Sequence, residues 1–161
     1  MKIASVTNVP LDPALGSGKT VIAWSECLKN LGHEVIVYPP EAYCATGSSY
    51  LGNRLKLRFS SLVLEKSLLQ GNFNLVEFYG AEFGLLINKL SHIPLPLRPL
   101  LVAHTNGLEL LAQDLEHTSV RINKRPTPKR ILTSLVQPII SKWDYWAFTK
   151  VDAFASICKT D

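Results

Sequence analysis

The sequence predicts a three-layer α/β sandwich around a mostly parallel sheet. Short apolar runs of strand length recur along the 161 residues, and the stretches between them return their apolar residues at helical spacing. Strands that alternate with helices cannot pair through hairpins, so they pair in parallel and the helices cover the sheet. At 47% hydrophobic residues and a net charge of +4, the chain is globular and long enough for one domain with a core.

The first thirty-odd residues set the pattern. Ile3 to Val6 reads as a strand, Asn8 to Gly18 as a turn-rich segment, and Val21 to Leu31 as a helix with Val21, Trp24, Leu28 and Leu31 on one face. Gly32 stands where a helix stop belongs, and Val35 to Tyr38 is the next strand. This is a βαβ unit with a right-handed crossover. Cys27 is expected to pack on that helix as a small apolar residue. Pro39 to Asn53, with its prolines, glycines and small polar residues, reads as a long surface loop.

Arg54 to Gln70 predicts one amphipathic helix burying Leu55, Phe59, Leu62, Val63 and Leu69, ended by Gly71. Leu75 to Tyr79 is a third strand, and Gly80 to Gly84 turns the chain into a helix running to about Leu90. Pro94, Pro96 and Pro99 punctuate a connector before a fourth strand, Leu100 to Ala103, whose apolar run suits burial on both faces. His104 to Glu109 follows, then a short helix to about Glu116. A basic, proline-broken segment, Arg121 to Arg130, leads into a long helix from about Lys129 with Leu132, Leu135, Ile139, Trp143 and Trp146 as its buried stripe. Pro138 inside it predicts a kink or two helices end to end. Asp152 to Ile157 is the last strand.

In such a fold, ligand-facing residues gather where strands end, and three strand ends here carry unusual choices. The first holds Gly16, Ser17, Gly18 and Lys19. Gly16-Ser-Gly-Lys-Thr20 has the tail of a nucleotide-phosphate loop, but the glycine required five residues before Gly18 is replaced by Pro13, which has no N–H. Two readings stay open: a backbone cradle for a phosphorylated ligand at a helix N-terminus, or glycines that simply turn the chain. The second end holds Glu77, Tyr79 and Glu82 with Gly80 and Gly84, and the third holds His104, Asn106, Gly107 and Glu109. A histidine or asparagine near a glutamate can bind sugar hydroxyls or move a proton.

Cys27, Cys44 and Cys158 are far apart, odd in number and without CxxC spacing. This argues for a reducing, cytoplasmic setting and against a disulfide framework or a zinc site. Met1 leads straight into a core strand, so no signal peptide is expected, and no apolar run approaches the ~18 residues of a membrane span.

Taken in order, Met1-Lys-Ile-Ala, the proline- and glycine-rich loop, Leu-Lys-Asn-Leu-Gly-His-Glu-Val-Ile-Val37, Asn74 to Phe78, Pro99 to Glu109 and Asp152 to Asp161 resemble the N-terminal domain of family-4 glycosyltransferases of the GT-B fold. The resemblance spans essentially the whole chain, and its most specific pieces are Leu-Gly-His-Glu-Val and the Gly-Leu-Glu after the fourth strand. It implies that residues 1–161 form a Rossmann-like acceptor-side half, with the nucleotide-sugar-binding C-terminal domain absent. Gly16, Ser17, Gly18 and Lys19 would then face the donor diphosphate and the acceptor, together with Tyr79, Glu82 and Gly107. The family's His-Gly-x-Glu motif falls on Asn106 to Glu109, with Asn106 in the histidine column and His104 two residues earlier, so His104, Asn106 and Glu109 are the catalytic candidates. Cys158 stands where the family closes on serine. The implied substrates are a nucleotide-sugar and a sugar or lipid-linked acceptor, with no other cofactor and no metal. The implied partner is a second GT-B domain, without which the chain alone transfers no sugar. The rival reading is a non-catalytic Rossmann-like module that holds a phosphorylated ligand or a protein.

Arg121, Lys124, Arg125, Lys129 and Arg130 cluster with no intervening acid, and Trp143 and Trp146 follow on the same helix. The cluster suits docking on an anionic membrane at the cytoplasmic face, or a solvated loop before a core helix. Nucleic acid is not expected, because no stacking aromatics interleave the basic residues.

Overall fold

The computed structural model describes residues 1–44, 50–105 and 128–156. The chain runs β1 (Lys2–Thr7), α1 (Gly16–Asn30), β2 (Glu34–Tyr38), α2 (Tyr50–Ser60), α3 (Leu64–Gln70), β3 (Leu75–Tyr79), α4 (Gly84–Ser91), β4 (Leu100–Thr105), α5 (Pro128–Thr149) and β5 (Ala153–Ser156). The five strands form one sheet in the order β2-β1-β3-β4-β5, and every neighbouring pair is parallel. The molecule is an α/β sandwich of the Rossmann-like kind, and the sheet of the described residues is parallel throughout, as the sequence leads one to expect.

The strand order decides which helices lie where. From β1 the chain steps outward to β2, then crosses back to β3 and continues to β4 and β5. Right-handed crossovers in opposite directions put α1 on one face of the sheet and α2 to α5 on the other. The apolar core fills the second face. Ala4, Val6, Val76, Phe78 and Leu101 point into it from the strands, and Leu64, Leu68, Leu86, Ile87, Leu90 and Ala147 meet them from the helices.

Two contacts fix that helical layer. A Cβ on Gly84 would lie 1.7 Å from the Trp143 carbonyl oxygen, so α4 and α5 cross backbone to backbone and only glycine fits. Arg58 on α2 is fully buried and donates from Nε and Nη2 to Asp144 Oδ1 on α5, at 3.0 and 2.6 Å. Below the sheet, Arg98 grips Asp152 through two parallel bonds of 2.5 and 2.9 Å, and Asp152 also accepts from the Leu101 amide. This joins the starts of β4 and β5 and holds the Asp152 carboxyl below the usual range, Arg98 being the main cause.

Several helix faces differ from expectation. α1 begins at Gly16 rather than near Val21, because Asp12 takes the Ala14 and Leu15 amides and delivers the chain into the helix at Leu15. Its buried residues are Gly18, Val21 and Ser25, whereas Trp24, Leu31 and Cys27 are exposed. The expectation that Cys27 packs is thus corrected: one polar Ser25 replaces it against the sheet. The stretch read as a single helix, Arg54 to Gln70, is two helices joined by a 3-10 turn at Ser61–Val63, and α2 starts within the expected loop, at Tyr50. The tighter turn rotates the phase after it, so Leu64 and Leu68 are buried and Val63 is exposed; Phe59, before the turn, is exposed as well. α5 runs unbroken past Pro138 as one helix rather than two. Its buried line is Gln137, Ile140, Asp144 and Ala147, with Ile139 exposed. A buried ion pair and a glycine crossing select this line, and neither shows in apolar periodicity. Leu132 and Leu135 lie outside the residues whose side chains are described.

Candidate functional site

The order of connections reverses between β1 and β3, and in open α/β sheets the carboxyl ends beside such a reversal form the ligand crevice. Here that edge holds Thr7 and Asn8 at the end of β1 and Tyr79 and Gly80 at the end of β3. Asn8 donates its amide to the Tyr79 carbonyl at 3.3 Å and its side-chain Nδ2 to Glu82 Oε2 at 2.7 Å. Gly80 sits at φ +120°, and a Cβ there would be 2.4 Å from Asn8 Nδ2 and 2.8 Å from Glu82 Oε2. The glycine is therefore required twice, by its backbone conformation and by the closure of Asn8 on Glu82. Tyr43 closes the same corner by donating its hydroxyl to the Thr7 carbonyl at 2.8 Å. Burial, with Cys44, Glu82 and Glu41 nearby, raises its pKa far above the usual phenol value.

On the α1 face the strands carry polar side chains where the other face carries the core. Glu77, 4% exposed, is the centre of this group. Its Oε2 accepts from Ser5 Oγ at 2.8 Å and, at 3.4 Å, from the Tyr79 hydroxyl. Its Oε1 accepts from the Trp24 indole Nε1 at 2.9 Å and lies 3.2 Å from His104 Nε2. Parallel pairing sets this up: Ser5 lies beside Glu77, and Tyr79 beside His104. The His104 ring stacks on Tyr79 at 4.4 Å and 11°, and it meets Trp24 edge-on at 5.9 Å.

Burial alone would push the Glu77 carboxyl up. The bonds from His104, Trp24 and Ser5, with the His104 charge, outweigh it and hold Glu77 below the usual range. It is a carboxylate at neutral pH. The Tyr79 hydroxyl moves the other way, well above the usual phenol value, through burial and the Glu77 charge beside it.

The expected site residues separate into groups. His104 and Tyr79 meet in the Glu77 network, and Glu82 joins Asn8 at the rim. Gly16, Ser17, Gly18 and Lys19 form the first turn of α1, after the β1 end. A Cβ on Gly18 would lie 2.6 Å from the Pro10 carbonyl oxygen and 2.7 Å from that of Asp12, so the loop folds tightly onto this turn. Asn106, Gly107 and Glu109 lie outside the described residues, as does the basic stretch 121–127. Among the described residues there is no group of three or more His, Cys, Asp or Glu that could hold a metal ion. No described helix is long and apolar enough to cross a membrane.

Trp24, Ser5 and Asn8 are members that sequence reasoning passed over, and Glu77, noted at its strand end, was not carried forward as a binding or catalytic residue. Glu77 stood in view at a strand end, inside Leu75-Val-Glu-Phe-Tyr79, as a charge amid apolar neighbours; that misfit is the signal that could have promoted it. Trp24 read as a packing residue and gave no such signal. No protein-family model, curated protein or solved structure matches the chain.

Proposed function

We propose that the chain is the acceptor-side half of a two-domain glycosyltransferase of the family-4 type, binding a sugar hydroxyl acceptor at the carboxyl ends of β1, β3 and β4. The observation that supports this reading is the gathering of Asn8, Glu82, Tyr79 and His104 beside the reversal of the sheet order. Sugar hydroxyls are recognised by fixed carboxylate, amide and imidazole groups, and this rim supplies one of each. Glu82 accepts from Asn8 at Oε2, which fixes the carboxylate at the rim as an acceptor for a ligand hydroxyl. The first N–H groups of α1 precede the Lys19-to-Leu15 bond that starts the helical ladder, so they can meet the donor's phosphates. A nucleotide-sugar is the substrate on this reading, and a second GT-B domain binds most of it. A lipid-linked acceptor at an anionic membrane belongs to the same proposal.

A specific observation favours the rival, a non-catalytic module. The Pro10 and Asp12 carbonyl oxygens press against Gly18, and carbonyl dipoles at that spot oppose an anion. Titrating the labelled chain with methyl pyranosides and, separately, with nucleoside diphosphates, followed by amide NMR, separates the two. The acceptor-half reading expects sugar binding in the millimolar range, about −4 kcal/mol, with shifts at Gly80 and Glu82 that vanish in Glu82→Ala. It also expects diphosphate shifts at Gly16 to Gly18. Silence at the rim with every sugar overturns it.

A further inference from the structure

We propose that Glu77 is a positioning residue that fixes His104 as the Nε2–H tautomer, so that Nδ1 is the nitrogen offered to a ligand hydroxyl. The claim rests on the sugar-binding reading for the ligand, and for the tautomer on the contacts around an ionised Glu77.

A carboxylate has about four lone-pair sites. Glu77 uses all of them: Ser5 and Tyr79 on Oε2, Trp24 and His104 on Oε1. No lone pair remains to take a proton from a ligand, so Glu77 acts through its neighbours. Because it is an ionised acceptor with no proton to give, the contact with His104 Nε2 requires a hydrogen on that nitrogen. This holds whether the imidazole is neutral or charged. In the neutral ring the lone pair is therefore on Nδ1, which can accept from a hydroxyl; in the charged ring Nδ1 donates instead.

The ring cannot escape this assignment by turning over. Tyr79 lies flat against one face at 4.4 Å and Trp24 abuts it at 5.9 Å. A flipped ring would place a carbon against Oε1 and leave a buried carboxylate one donor short. Trp24 is held by the same oxygen, so the histidine and the indole are oriented together. This is the arrangement in which a carboxylate sets which imidazole nitrogen works.

The test is long-range proton–nitrogen correlation on the histidine-labelled chain above neutral pH, with His104 assigned among the four histidines by His104→Gln. The native chain is expected to show His104 with Nε2 protonated and Nδ1 bare. Glu77→Gln should give mixed tautomers, because the amide can turn either its oxygen or its NH2 to the ring. Ser5→Ala, which removes a donor from the other oxygen, should leave the tautomer alone. A native His104 protonated on Nδ1 overturns the proposal, and that measurement needs no variant to fold. Methyl pyranosides should then shift the Nδ1 resonance, with sugar affinity about five- to tenfold weaker in Glu77→Gln. Sugar shifts at Gly80 and Glu82 without any at Nδ1 overturn the ligand role of His104 and spare the sugar-binding reading. With no sugar response anywhere, that reading and the ligand role fall together, while the tautomer stands or falls on the native spectrum.

Discussion

The two faces of this sheet are made by the same strands and serve opposite ends. In β3, Val76 and Phe78 point into the helical layer and Glu77 and Tyr79 point toward α1. The alternation is the ordinary period of a strand, yet Glu77 is buried nearly as fully as its neighbours. One face gains stability by removing apolar surface from water, and the Glu77 cluster on the other gains it by satisfying the polar atoms it buries. The first tolerates changes of shape at a cost. The second tolerates almost no change of donor or acceptor. A site that must present a chosen nitrogen belongs on the second.

The comparison breaks most visibly in the helical layer. Ile139 and Ile140 are adjacent on α5, 50% and 1% exposed. Ile140→Ala should cost about 2–5 kcal/mol in urea unfolding, and Ile139→Ala should stay within about 0.5 kcal/mol. A larger loss from Ile139→Ala than from Ile140→Ala would mean that α5 packs on the stripe its sequence suggests. Gly84→Ala comes next. Its methyl must push against the Trp143 carbonyl, which is backbone and cannot rotate away, so a loss of about 1–3 kcal/mol is expected from the same measurement. None of the three changes should alter the His104 tautomer.

These residues also show what the sequence makes legible. All five strands were readable, because apolar runs between glycine and proline punctuation are a strong local signal. The helix faces were less so. Periodicity assumes that buried means apolar, and here Arg58, Asp144, Gln137 and Ser25 are buried while Trp24, Phe59 and Ile139 are not. The site was half legible. His104, Tyr79 and Glu82 stood out at strand ends. The link among them through Glu77 depends on register across β1, β3 and β4, which no local window contains.

On the α1 face, Glu77→Gln keeps the shape and changes the bonding. Replacing one acceptor oxygen by an NH2 sets a donor against donors, and about 1–3 kcal/mol should be lost. The pH dependence gives the sign. The folded pKa of Glu77 lies below its unfolded value, so its stabilisation is present above the unfolded pKa and disappears as pH falls through the folded one. The native chain should therefore lose stability on acidification through the lower carboxylate range, and the variant should lose less over the same interval. Parallel acid limbs in the two proteins would show that Glu77 is not ionised in the fold.

The smallest effect expected on the α1 face is the sharpest probe of the contrast. Trp24 is 45% exposed, so Trp24→Phe gives up little buried apolar surface. On the helical face, a substitution that conserves most of the apolar volume would cost little. Here the indole N–H also holds a buried carboxylate oxygen at 2.9 Å, and phenylalanine has no donor. The loss of that one charge-assisted bond should cost about 1.5–3 kcal/mol if nothing replaces it, and about 0.5–1.5 kcal/mol if water enters beside the exposed ring. Exposure of the ring favours the wet outcome, and the smaller value is the expected one. The change should also loosen His104, which loses the indole edge beside it, and its tautomer should stay Nε2–H because Glu77 remains. A Trp24→Phe protein as stable as the parent, with an unchanged His104 spectrum, would show that the indole bond adds nothing and that Ser5, Tyr79 and His104 satisfy Glu77 without it.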